Sequence, residues 1–316
     1  MLPLALMLAH HDVAVGRVGD DPLQTASTVG LSLPLPRAEA ALRYGFSDFS
    51  RVLRDGQSMG DAATASVLVQ TLTPTVGVRL PSRTALQLSL PTGQVLQDEQ
   101  GSVGLGDLQL VASQGFGRRK SLFAGQASLA LRVPTGHYNQ KASFSVTDIE
   151  QQDGAYYLTT YDTRASLGSG SFALSAAASG RVKLGGLSWV AAASFQQPVG
   201  YTPDEIWWGR DLSLRTGPAV GLGRKDRWQL TLLASGSLHT RDRIETTDED
   251  TGLPTTLRVG QRRELGIQGQ AAVRVLPAVA CVVSAQVPVL QDTEGVQLVQ
   301  RVGVGTQCSV GWGLKR

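Results

Sequence analysis

The sequence predicts an all-β chain folded as an antiparallel, up-and-down transmembrane β-barrel of about 12 strands, with short periplasmic turns and longer extracellular loops. Three observations predict it. First, Leu105–Tyr138 reads as one hairpin, in which Leu108, Leu110 and Ala112 alternate with Asp107, Gln109, Val111 and Ser113. A basic turn follows at Gly117-Arg118-Arg119-Lys120, and the return arm runs from Leu122 to Val133. Period-2 alternation places each set on one face of a strand, and arms of about ten residues suit a tilted strand crossing a bilayer. Second, the unit recurs. LQLSLPTG at Leu86–Gly93 is echoed by LALRVPTG at Leu129–Gly136, and more weakly by SFQQPVG at Ser194–Gly200 and SAQVPV at Ser284–Val289. Proline has no N–H for a central ladder, so each is expected where a strand leaves the sheet. Third, short turns alternate with long polar loops, as if the two ends of the sheet meet different surroundings.

Composition agrees. The chain has 316 residues, with 36 Gly and 14 Pro, and only 17% charged residues. It contains no apolar run long enough for a transmembrane helix and no long stretch of helical periodicity. The net charge of +3 is spread over turns and strands, without the basic clusters and stacking aromatics of a nucleic-acid surface. The four histidines, His10, His11, His137 and His239, lack zinc-ligand spacing, so no metal or cofactor is expected. His10-His11 reads as a solvated tail. GLGDLQL has no following Lys-Ser/Thr and opens no helix, so it is not a phosphate cradle.

In chain order, residues 1–9 (MLPLALMLA) resemble the apolar core of a secretory signal without its basic flank; a buried N-terminal strand is the other reading. Residues 10–37 read as a periplasmic lead-in or partial plug, because Pro34 and Pro36 interrupt any strand. The barrel is expected over 38–316. Its first strand, Ala38–Ser50, turns Ala40, Leu42, Tyr44 and Phe46 outward, and Glu39, Ala41, Arg43 and Gly45 inward. Thr64–Leu80 returns and Arg83–Pro91 goes back out, with a loop at Thr92–Val103 before the Leu105–Tyr138 hairpin. His137–Gly170 is the longest loop. Ser171–Lys183 pairs with Leu187–Gln197 around Gly185-Gly186. Arg210–Gly223 pairs with Arg227–Thr240 around Arg224-Lys225-Asp226. Arg241–Arg258 is an acidic loop. Val259–Val275 pairs with Ala278–Val289, and Val296–Trp312 closes the sheet. An even count puts both termini on one side, and closure leaves no unpaired edge in lipid. A soluble β-sandwich or lipocalin-like barrel alternates in the same way. Here the inward set is rich in Gly, Ser, Gln and Arg, which favours the transmembrane reading.

GLGDLQL at Gly104–Leu110, the PTG stops, LGSGS at Leu167–Ser171 and GPAVGLG at Gly217–Gly223 resemble the outer-membrane transporters of the phenol-degradation MetA-pathway type, relatives of FadL-like channels for hydrophobic solutes. The resemblance runs from Ala38 to Trp312. It implies a bacterial outer-membrane barrel and passage of small organic solutes, and brings no catalytic residues.

The residues themselves offer a second line. Arg43, Arg181, Arg215, Arg262, Arg274 and Arg301 fall on the inward face, opposed by Glu39, Asp107, Asp211 and Glu264. They read either as salt bridges bracing the lumen or as an electropositive constriction for anionic, including aromatic, solutes. The first expectation is therefore a passive channel, a non-enzyme whose partners are outer-membrane lipid and small organic solutes. The second is a plugged platform barrel that binds a protein through its loops, with Tyr156, Tyr157, Trp207 and Trp208 as contacts. A rim-site hydrolase using His239 with Asp242 or Asp248 is the remote alternative. Cys281 and Cys308 fall on the last two strands, facing lipid near the periplasmic side, and are expected to form a disulfide.

Overall fold

The fold is seen in a computed structural model, which describes residues 13–14, 37–60, 63–64, 66–97, 100–117, 122–138, 141–152, 155–164, 167–223, 227–247, 254–276 and 278–313. Residues 1–12 and 15–36, where the signal-like segment and lead-in were expected, lie outside these.

Twelve antiparallel strands close into a barrel. In chain order they are β1 (Arg37–Arg54), β2 (Val67–Arg79), β3 (Thr84–Ser89, resuming as Thr92–Gln97), β4 (Gln100–Leu105, resuming as Leu108–Gly117), β5 (Phe123–Val133), β6 (Phe172–Leu184), β7 (Leu187–Val199), β8 (Asp211–Leu222), β9 (Trp228–His239), β10 (Arg262–Leu276), β11 (Val279–Thr293) and β12 (Val296–Gly313). Neighbours in sequence are neighbours in the wall, and β1 pairs with both β2 and β12 to close it. The Arg37 end of β1 lies against the Gly313 end of β12, so both chain ends of the barrel share the short-turn end.

The alternation sorts the side chains. In β6, Phe172, Leu174, Ala176 and Ala178 are exposed while Ala173, Ser175, Ala177 and Ser179 are buried. The same holds around the wall: Leu129 and Leu232 point out, Gln268 and Arg215 point in. A closed barrel whose outward face is Leu, Val and Phe, and whose inward face is small or polar, is a membrane-spanning barrel of outer-membrane type. In lipid every strand needs both hydrogen-bonded neighbours.

Several expectations are corrected. The expected loop at Thr92–Val103 is largely strand: Thr92–Gln97 and Gln100–Leu105 pair with each other and extend β3 and β4, and Thr92–Gln97 also pairs with Val67–Leu72 of β2. The ladder crosses the break at Leu90-Pro91 because Leu90 N–H donates to the Pro74 carbonyl at 3.2 Å. The long loop after β5 contains a hairpin, Lys141–Gln152 with Ala155–Arg164. The acidic loop after β9 contains another, Asp242–Thr247 with Pro254–Val259. Pro91 and Pro134 do end strand segments, but Pro198 and Pro288 lie inside β7 and β11. Each sits where pairing on one side has stopped. The β7–β8 ladder ends at Gln196↔Asp211 and the β11–β12 ladder at Gln286↔Gly303, so no N–H is required.

Candidate functional site

The lumen is the candidate site, and three features define it: a roof, a knot and an arginine lining. The roof is apolar. Phe49, Val67, Val69, Val95 and Leu298 face inward at the loop end, and Val146 of the Lys141–Gln152 strand packs against them, fully buried. Ser145 and Val146 pair with the short strand Ala63–Thr64, and Val13–Ala14 pairs parallel with Thr163–Arg164. The long loop's hairpin thus joins these two short strands in a four-stranded sheet against the inner wall.

The knot lies at the loop end of β4 and β5. It joins three of the motifs that stood out in the sequence. Asp107, in the break of β4, accepts from Gly136 N–H at 3.1 Å, Ser169 N–H at 2.8 Å and Ser169 Oγ at 2.6 Å. Its Oδ2 lies 3.7 Å from Arg132 Nε, a charge contact too long to be a hydrogen bond; both side chains are almost wholly buried. The backbones cross so closely that a Cβ on Gly136 would lie 2.7 Å from Gly106, and one on Gly168 would lie 2.6 Å from Gly136. Only glycine fits there, which gives GLGD, PTG and LGSGS a common physical reason. His137 completes the crossing: its N–H donates to the Leu105 carbonyl at 2.8 Å and its Nδ1 accepts from Leu105 N–H at 3.0 Å.

The inward cations do not form one ring. Arg181 and Arg274 lie toward the turn ends of β6 and β10, and Arg43 lies in the turn-side half of β1. Beside them, Glu39 accepts from Gln87 Nε2 at 2.8 Å and lies 3.6 Å from Arg79. Arg215, only 7% exposed, stands nearer the loop end, with Glu264 as its opposing charge. Glu264 also accepts from Gln291 Nε2 at 3.1 Å. Around this pair the wall is hydroxyl-rich, with Ser194 and Ser213 Oγ atoms 2.7 Å apart. Arg262 lies at the rim, opposite His239 in the ladder. Arg301 departs from the expected set. It is exposed at a β-bulge in β12, where the register shifts, and the neighbouring Gln300 amide reaches Ser47 Oγ inside instead, at 3.1 Å. Alternation read through an unmarked bulge assigns the wrong face. Arg79 and Arg132 were missed, although outward Leu129 and Leu131 already imply an inward Arg132.

The loop aromatics divide. Trp208 is buried and donates its indole N–H to the Ser169 carbonyl at 2.8 Å, so it pins the β7–β8 loop to the knot and is not an exposed contact. Trp207 meets Tyr201 edge to face, with ring centroids 5.1 Å apart. A hydrogen bond to Glu245 raises the Tyr201 phenol above its ordinary range. The side chains of Tyr156 and Tyr157 lie outside the described residues. His239 is a clamp. Its Nδ1 meets Asp211 at 2.6 Å and its Nε2 meets Asp242 at 3.0 Å, so carboxylates hold both nitrogens and neither is left for a serine nucleophile. Asp248 lies outside the described residues. Cys281 and Cys308, paired across β11 and β12 with Cα atoms 4.1 Å apart, are joined in a disulfide on the outward face near the turn end. Among the described residues no cluster of His, Cys, Asp and Glu could hold a metal.

A solved structure has this fold. The COG4313 outer-membrane channel from Pseudomonas putida F1 superposes with a TM-score of 0.67 at 13% identity, over 92% of this chain and 99% of that one. The Ralstonia pickettii toluene transporter TbuX reaches 0.43 at 9% identity, over 95% of each chain. A Pseudomonas aeruginosa FadL homologue reaches 0.39 at 10% identity, over 87% and 90%. No protein-family model and no curated protein matches the chain.

Proposed function

We propose that the protein is an outer-membrane channel for passive passage of small organic solutes, with a preference for anionic and aromatic ones. The observation that carries the reading is the inner wall. Inward arginines at two levels, set among Ser, Thr and Gln, offer an anion successive charged and hydroxyl contacts without a single deep trap, as conduction requires. The apolar roof suits a solute with a ring as well as a charge, since such a molecule must cross both surfaces. The sequence resemblance to the phenol-degradation transporters and the fold shared with the COG4313 channel support the same class. The roof also favours a second reading, a closed barrel that serves as a platform.

Current across planar bilayers separates the two. Wild-type barrel and a variant with Lys141–Arg164 replaced by a short Gly/Ser linker are compared, with benzoate as the test anion. The channel reading expects a measurable conductance with anion preference, and a larger one without the roof. Silence from both proteins would leave only the platform.

A further inference from the structure

A second site lies outside the lumen. At the loop end, the strands Ile206–Trp207, Asp242–Thr247 and Pro254–Val259 form a small three-stranded flap. Between flap and barrel is an open cavity of about 1380 Å³. Its floor is the lipid-facing side of the wall: Leu212, Leu214, Leu238, Leu265 and Leu290, all outward by register. Leu212, Leu214, Leu265 and Leu290 are each about half exposed or more. Its upper rim carries Arg210, Arg241, Arg243, Arg258 and Arg263, against Asp55, Asp292 and the inward-facing Glu264. Arg241 is paired with Glu294 at 2.6 Å, whereas Arg258 and Arg263 have no ion pair among the described residues. Trp207 also lines the cavity.

An apolar wall below and a crown of guanidinium groups above are complementary to one kind of molecule, an amphiphile with acyl chains and an anionic head. Guanidinium forks pair with phosphate oxygens two at a time, so phosphate is the head group that such a crown holds best. We propose that this cavity docks a phosphorylated, acylated lipid of the outer leaflet, head group under the flap arginines and chains along the leucine floor. The proposal is independent of transport; it rests on the long loops facing outward.

The test uses the full-length barrel refolded in phosphatidylcholine vesicles, with bisphosphorylated lipid A as probe and binding read by native mass spectrometry after detergent release. Wild-type protein is expected to retain lipid A. The Arg243→Gln/Arg258→Gln/Arg263→Gln variant is expected to bind it at least about tenfold more weakly. Arg227→Gln, at the opposite end, is expected to bind like wild type. Heat-modified gel mobility confirms that each barrel has folded. Inorganic phosphate should not compete at concentrations that leave lipid A bound, because it lacks the chains. Equal retention of lipid A and of its dephosphorylated form, or full retention by the triple variant, would overturn the proposal. Retention lost equally in Arg227→Gln would do so too, by reducing the effect to general charge.

Discussion

Asp107→Ala tests the knot directly. The wild-type carboxylate is 3% exposed, takes three hydrogen bonds from Gly136 and Ser169, and faces the buried Arg132. A hydrogen bond to a charged group contributes about 1.5–3 kcal/mol. Removing one member of a buried ion pair costs about 3–5 kcal/mol, because the other charge is left uncompensated. These terms describe overlapping losses and do not add, so about 3–5 kcal/mol is expected for Asp107→Ala. Arg132→Met should cost less, about 1–3 kcal/mol, since Asp107 keeps its three donors. The double variant should be less destabilised than the sum of the singles by at least about 1 kcal/mol, as removing both charges leaves none stranded. Urea unfolding from phosphatidylcholine vesicles, followed by tryptophan fluorescence, gives all four free energies, and Trp208 reports locally through its bond to Ser169. Asp107→Ala within about 1 kcal/mol of wild type, or strictly additive singles, would refute the account of the knot.

Three further outcomes are expected. Gly136→Ala and Gly168→Ala, whose new Cβ atoms would meet backbone at 2.7 and 2.6 Å, should abolish the heat-resistant folded band on gels; Gly269→Ala, with nothing within 4 Å, should keep it. Changing Arg181, Arg215 and Arg274 together to Ser should move the reversal potential toward cations in a salt gradient, and an unchanged potential with weaker stability would assign them to bracing. Reducing the Cys281–Cys308 bond, which spans 27 residues of sequence, should lower unfolding stability by up to about 3–4 kcal/mol; an unshifted urea midpoint would mean that the bond adds nothing.

Period-2 alternation was enough to set much of the architecture from the sequence. It depends only on neighbouring side chains taking opposite faces, so the strand count, the inward Arg181 and Arg215, and the short-turn end were all legible along the chain. The adjacency of Cys281 and Cys308 follows from the same rule, because consecutive antiparallel strands must pair. What alternation could not reveal is anything that breaks it or joins distant segments. Arg301 sits at a bulge that shifts the face by one residue, and no residue in β12 announces it. The long loops read as polar and irregular, yet each holds a hairpin: one roofs the lumen and the other overhangs the outer wall. Both are stabilised by contacts made far away in sequence, such as Val146 in the buried cluster with Leu298, and Asp242 accepting from Gly209 N–H. The motifs around Gly106, Gly136 and Gly168 were visible as letters, but their reason was not. Three backbones meet there at distances that exclude a Cβ, where the loop ends of the neighbouring strands β4, β5 and β6 converge.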